Sequence, residues 1–297
     1  MKRDIKPHLA LIGTNVFFAI NFTAVKYLIN GHFILPFGLN FIRMLITAIL
    51  LWFFYLFQKK KEPIQKIHYK RFFICALLGI VINQLLFIKG LSLTYSIHAS
   101  LLMLTTPIFI TIIAAWILKE NLSFNKILGL TLGVTGAVIL MLHKKNSGSG
   151  SNVLWGDIFV ILNAISYSYY FVLVKPLMKR YHPITVMRIL FTMGVFIALP
   201  FCWSEFTATP WPQYHSTQFG VLFLIIFCGT FLAYTFNVYG IKHLGASVSG
   251  AYIYSQPIFA SIIAIVMLGE VLDIYKIVSA AFIFVGVFLN NKSVSND

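Results

Sequence analysis

Two stretches decide how this chain folds: PIFITIIAAWILKENLSFNKI, from Pro107 to Ile127, and PIFASIIAIVMLGEVLDIYKI, from Pro257 to Ile277. Shifted by 150 residues they agree at 11 of 21 positions, more than shared hydrophobicity supplies. The matches include Pro107 with Pro257, Glu120 with Glu270 and Lys126 with Lys276, residues that a bias toward lipid-compatible composition would not place in register. The chain is therefore internally duplicated. An earlier pair agrees: Phe22, Val25 and Lys26 match Phe171, Val174 and Lys175 in an FxxVK pattern, and Arg43, Leu45 and Thr47 match Arg188, Leu190 and Thr192 in an RxLxT pattern.

Working outward from these stretches, apolar runs long enough to cross a roughly 30 Å hydrocarbon core as helices fall at about 8–28, 37–57, 71–91, 97–118, 125–142, 154–174, 184–203, 219–238, 247–268 and 274–291. The runs lack barrel-strand alternation, and lipid cannot satisfy open strand edges, so the expected fold is an all-α membrane protein of ten transmembrane helices. Each copy of the duplication holds five. Five is odd, so the second copy enters the bilayer from the side opposite the first, giving two inverted five-helix repeats over 1–145 and 153–297, with a flexible Ser/Gly linker at 146–152. With the N-terminus inside, cytoplasmic segments hold seventeen Lys and Arg residues and outer segments four, which places both termini in the cytoplasm of an inner (plasma) membrane protein. The first apolar run has no convincing cleavage site and is expected to stay as a helix.

Composition excludes other classes. With 59% hydrophobic and only 10% charged residues, the chain cannot cover a soluble core with a polar surface. The net charge of +15 lies in loops between apolar runs, and Lys59, Lys60 and Lys61 read as a cytoplasmic anchor, so no nucleic-acid partner is expected. Cys75, Cys202 and Cys228 are scattered in or at the edge of apolar stretches and form neither a disulfide framework nor a metal motif. No metal, no cofactor and no catalytic constellation is expected: HExxH is absent, the eight histidines are dispersed, and the acids lie almost all at helix ends. The expected partners are the lipid bilayer and a small-molecule substrate, with monomer and homodimer both open. Gly129, Gly133 and Gly136 let the fifth helix approach another backbone, best that of its counterpart carrying Ser279 and Gly286.

The five-plus-five duplication, the arginine early in the second helix of each half (Arg43, Arg188) and the stretches Pro107 to Glu120 and Pro257 to Glu270 resemble the drug/metabolite transporter superfamily, specifically its ten-helix members with two EamA-type domains. The resemblance covers nearly the whole chain. It implies carriage of small metabolites, often amino acids or their derivatives and often outward, across the inner membrane. Small multidrug relatives in that superfamily rely on a glutamate in the first helix, and residues 8–28 here contain no acid, which leaves the energy source open.

Helical spacing places polar groups on shared faces. Asn15, Phe18, Phe22 and Lys26 share a stripe, as do Asn163, Tyr167 and Tyr170; Thr230, Tyr234 and Asn237; and Ser249, Tyr252 and Gln256. Asn83, Gln84, His98 and Thr105 join them from the third and fourth helices. Amides and tyrosines are costly against lipid, so these faces are expected to line a central cavity, the competing reading being simple interhelical bonding. Lys26, Arg43, Lys175 and Arg188 form two symmetry-related basic pairs with no obvious buried carboxylate, suited to a substrate carboxylate or phosphate or else snorkelling to the interface. Pro107 and Pro257 stand near mid-helix as candidate kinks or hinges. Tyr27 and Tyr55 read as interfacial, and Glu120 and Glu270 as loop partners of Lys119 and Lys276. The function these features imply is alternating-access export of amino acids or related zwitterionic or anionic metabolites, with efflux of aromatic or drug-like compounds as the alternative. A channel fits less well, because filter rings are absent.

Overall fold

A computed structural model describes residues 5–58, 63–118, 124–142, 151–253 and 255–292. Among them there are helices and no strand. We number the helices α1 (Lys6–Asn30), α2 (Pro36–Leu56), α3 (Lys66–Leu93), α4 (Ser96–Met103 and Thr106–Leu118), α5 (Phe124–Leu142), α6 (Val153–Arg180), α7 (Pro183–Thr207), α8 (Ser216–Phe223, continuing through Leu224–Leu232 and Ala233–Ile253), α9 (Gln256–Leu268) and α10 (Ile274–Lys292). Among the described residues seven spans, in α1 to α4 and α6 to α8, are long and apolar enough to cross a membrane, and Ile127–Leu142, Gln256–Leu268 and Ile274–Leu289 are shorter apolar stretches. Their outward sides carry large exposed apolar residues such as Trp116, Phe196 and Val266, as lipid-facing helices require. The chain is a multi-pass helical membrane protein.

Proline starts several of these helices. Pro7, Pro36, Pro183 and Pro257 stand in the first turn of α1, α2, α7 and α9, where a missing N–H costs nothing. For Pro257 this corrects the mid-helix reading, whereas Pro107 stays central in the span of α4, at the break between its two segments. Pro107 is the second residue of a segment that restarts after a turn at Leu104 and Thr105, and Pro257 follows the break at Ser255. The sequence placed a helix boundary between residues 238 and 247, but α8 runs on to Ile253, because glycines alone do not end a helix and the proline that does lies further on.

The third helix of each half contains a π-helical stretch, Leu77–Ile82 in α3 and Leu224–Leu232 in α8. In α8 the Thr230 hydroxyl donates to the Ile225 carbonyl five residues back, which the widened turn allows (3.0 Å).

Packing exchanges the halves. α1 lies against α8 and α9, and α6 lies against α3 and α4; α2 pairs with α7, and α5 pairs with α10. The α5–α10 seam is glycine-built, as the sequence expects. A Cβ on Gly286 would stand 2.5 Å from the Gly129 carbonyl oxygen and 2.6 Å from the Gly133 nitrogen, both backbone atoms. Cys75 and Cys202 are buried and Cys228 half-buried, all as free thiols. Glu120, Lys119, Lys59 to Lys61, residues 146–150 of the linker and the outermost residues of both termini lie outside the described residues, as does the side chain of Ser249.

Candidate functional site

The interior polar groups separate into two clusters. The first lies among α2, α3, α6 and α8. Arg43, in the first turns of α2, is 5% exposed, and its Nε donates to the Thr230 Oγ1 of the π-helical stretch at 3.3 Å. Its Nη1 has no hydrogen-bond partner among the described residues. Tyr234, one turn along α8 from Thr230, is close enough to act electrostatically on Arg43 and on Tyr167 and Tyr170 of α6. The Tyr234 ring meets Phe18 of α1 edge-on at 5.7 Å and Phe191 of α7 at 6.2 Å, so the tyrosine is fixed from both halves.

Asn83 and Asn163 tie α3 to α6 reciprocally. The Asn163 Nδ2 donates to the Asn83 carbonyl at 2.7 Å, and the Asn83 Nδ2 donates to the Asn163 carbonyl at 3.4 Å. This pair spends its donors on interhelical bonding, while the Asn163 Oδ1 has no partner among the described residues. Gln84, beside it and 5% exposed, has neither amide atom partnered there. Burying an amide without partners costs about 1–3 kcal/mol, so water or a bound polar molecule is the physical complement of this group.

Tyr170 belongs to the first cluster, and the remaining expected residues sit elsewhere. Asn15 is buried but turns back to the Leu11 carbonyl of its own helix (2.8 Å). Tyr170 donates to the Met187 sulfur at 3.8 Å. Asn237 and Gln256 are half-buried, and Tyr252 pairs with the His8 Nδ1 (2.6 Å) near the start of α1.

The two basic pairs are not equivalent. Arg188 lies over the rings of Tyr55 and Trp52 at 3.7 and 4.1 Å, so Tyr55 is a stacking partner of Arg188 as well as a helix-end residue. Lys175 is exposed, its ammonium 5.5 Å from the Phe171 ring. Lys26, its repeat counterpart, is wholly buried and donates to the Thr94 carbonyl, so snorkelling does not describe it.

Lys26 belongs to the second cluster, which the sequence reading did not assemble. Thr94 and Tyr95 form the extended break between α3 and α4. The Thr94 hydroxyl donates to Asp157 near the start of α6, and the other Asp157 oxygen lies 3.0 Å from the His98 Nδ1. Glu270, 1% exposed, accepts the Ser96 and Ile97 amides at 2.7 and 3.0 Å, capping α4 from the loop between α9 and α10. Lys276 donates to the Val271 carbonyl (2.5 Å) and stands 4.9 Å from the Tyr95 ring. Lys26 thus has a carboxylate, Glu270, among its electrostatic neighbours, against the expectation that it has none. The structural role foreseen for Glu270 holds, but its partners are two amides. The available signal was Asp157, an acid inside an apolar run.

The remaining described acids also cap helices. Glu205 accepts the Phe37 and Gly38 amides at the start of α2 (2.6 and 3.2 Å), and Asp273 accepts the Lys276 amide (3.0 Å). At the other end, the hydroxyl of Tyr181, in the α6–α7 connection, accepts the Gln65 amide and meets the His68 ring nitrogen. A cleft beside it is lined by Ile67, His68, Lys70, Arg71, Ile74 and Leu173. Among the described residues no group of His, Cys, Asp and Glu could hold a metal ion.

A multi-pass helical membrane protein that keeps a buried cation with a free donor and unsatisfied amides in its interior has the polar interior of a membrane transporter. Comparison with known proteins gives the particular lineage. The model of the EamA-like transporter family matches residues 5–142 and again 154–292, and the chain belongs to that family. It is 25% identical to an uncharacterized transporter of Archaeoglobus fulgidus over 96% of both chains, and 26% identical to the uncharacterized transporter YoaV of Bacillus subtilis over 98% of both. A WAT1-related protein of Arabidopsis thaliana is 23% identical over 96% of this chain and 85% of its own length. A solved crystal structure has the same fold, with a TM-score of 0.62 over 96% of both chains at 17% identity.

Proposed function

We propose that this protein is a secondary carrier that exports amino acids or related zwitterionic or anionic metabolites by alternating access, from an inner membrane in which both termini are cytoplasmic. The observation that carries the substrate charge is Arg43: a buried guanidinium with a free Nη1, hydrogen-bonded to a neutral hydroxyl and influenced by a tyrosine. A ligand carboxylate supplies the charge and the acceptor that this fork lacks. Gln84 and the Asn163 Oδ1 offer a donor and two acceptors for the ammonium and carbonyl groups of such a ligand.

Alternating access is supported by how α1 and α6 meet the Thr94 turn. Lys26 reaches it from near the end of α1 and Asp157 from near the start of α6, so repeat-related helices arrive in opposite directions. The exchanged packing of the halves fits two inverted repeats of five helices each. The ends also differ in state: the buried, bonded Lys26 marks a sealed end, and the exposed Lys175 a looser one. In the inside-positive orientation the sealed end faces outward, because the opposite end carries Lys66, Lys70, Arg71, Lys179 and Arg180.

Efflux of aromatic or drug-like compounds has one favouring observation, the ring wall of Phe18, Tyr167, Tyr170, Phe191 and Tyr234 beside Arg43. Counterflow in proteoliposomes separates the two. Saturable exchange of labelled amino acids, lost in Arg43→Gln, supports the amino-acid reading. Exchange confined to uncharged aromatic compounds and indifferent to Arg43→Gln overturns it.

A further inference from the structure

The second cluster stands apart from the Arg43 group, yet it joins six segments of the chain. Lys26 comes from α1, Thr94 and Tyr95 from the α3–α4 break, His98 from α4, Asp157 from α6, and Glu270 and Lys276 from the α9–α10 connection and α10. Any opening at this end must pull these segments apart.

The charges in it balance. Lys26, Lys276, Asp157 and Glu270 are exposed by 0, 3, 0 and 1%, so two buried cations face two buried carboxylates. Asp273 also acts on Lys276, but it is half-exposed and capping an amide, and Lys89 near the end of α3 is half-exposed as well, so water screens both. His98, 2% exposed and bonded to Asp157, is the remaining titratable group of this cluster among the described residues besides Tyr95. With a neutral imidazole the sealed cluster has no net charge. With an imidazolium it holds one cation too many in a place closed to bulk solvent, and an uncompensated buried charge is strongly destabilising.

We propose that His98 is a proton-binding site that gates this end of the protein: the end is sealed while the imidazole is neutral, and proton uptake separates α1, α4 and α6 so that the surplus charge is hydrated. Histidine is the side chain suited to this, since its second ring nitrogen can take up and release a proton while the first keeps its hydrogen bond. The inference rests on the alternating-access reading only in treating this end as one of two gates.

The test uses the full-length protein in nanodiscs with Cys75, Cys202 and Cys228 replaced by Ala, and spin labels on Leu35→Cys paired with Leu272→Cys, both exposed positions at this end. Electron–electron distance distributions are recorded at pH 7 and pH 5. In the labelled parent the distribution shifts to longer distances at pH 5. In His98→Gln, which keeps an amide donor for Asp157, the distribution is the same at both pH values. In Lys276→Met the buried core has one negative charge to spare, so proton uptake neutralises it and the response reverses, with the shorter distance at pH 5. A parent distribution that ignores pH overturns the proposal, as does a His98→Gln protein that tracks pH like the parent. Should His98→Gln fail to fold, Lys276→Met decides, because an unreversed response there refutes the charge balance. Loss of amino-acid counterflow with the pH response intact would count against the export reading alone.

Discussion

Glu270→Ala is expected to loosen the start of α4 without disturbing the rest of that helix. The carboxylate accepts two buried amides, Ser96 N at 2.7 Å and Ile97 N at 3.0 Å, and α4 begins there with no cap of its own. Leaving a buried donor unsatisfied costs about 1–3 kcal/mol, so two of them give about 2–6 kcal/mol. Since about 1.4 kcal/mol is a factor of ten, local opening at residues 96 and 97 becomes at least some 25-fold more frequent at the low end of that range. Glu270→Gln keeps one acceptor oxygen and is expected to fall about midway. Hydrogen exchange resolved to the peptide spanning 94–99 reads this directly, with the peptide around Phe37 and Gly38 as an internal reference, because Glu205 caps α2 independently. Thermal unfolding in detergent gives the global effect. Unchanged exchange at 96 and 97 in a folded Glu270→Ala protein would refute the claim that this carboxylate holds the helix start.

Gly286→Ala forces a Cβ against the backbone of Gly129 and Gly133 and is expected to destabilise by about 1–3 kcal/mol, whereas Gly220→Ala, with nothing within 4 Å of its added carbon, is neutral or slightly stabilising; melting of the two variants side by side checks this. Arg43→Gln weakens counterflow of carboxylate substrates while leaving folding intact, whereas Arg188→Gln lowers melting temperature, because it removes a cation held over Trp52 and Tyr55. Tyr214, in the turn between α7 and α8, donates to the Phe33 carbonyl at 3.2 Å, and burial pushes its hydroxyl above the ordinary tyrosine value. A raised acid favours its neutral form in the folded state, so this contribution is complete below pH of about 10 and is lost on further alkalinisation. Tyr214→Phe should flatten that alkaline loss, as melting at pH 9 and pH 11 would reveal.

Apolar runs and the repeated Pro-to-Glu stretches made the helical membrane fold legible, because hydrocarbon leaves a backbone few choices and the duplication is written in identities. The glycine seam between α5 and α10 was legible for the same reason: only small residues permit that approach. Helix breaks were less so. Pro107 and Pro257 look central when a span is counted as one run, yet each starts a segment, since the interruption lies in the preceding polar residues Thr105 and Ser255. The stripe spacing put Tyr167 and Tyr170 on one face and Tyr234 on another; the structure sets Tyr234 beside Arg43, which the spacing did not link to any stripe. It failed for Asp157, His98 and Glu270, which meet at the Thr94 break from three separate parts of the chain; periodicity within a helix carries no information on which ends touch. The repeat symmetry also misled: Lys26 and Lys175 occupy matching positions, but the groups around them have diverged, and burial follows the surroundings.

The α5–α10 seam bears on how such a protein comes to exist. The fifth helix of either half is clasped chiefly by its counterpart, so one half synthesised alone would present a bare glycine flank to lipid. It could cover that flank by meeting a second copy threaded through the bilayer the other way. Carrying both halves in a single polypeptide fixes their ratio at one to one.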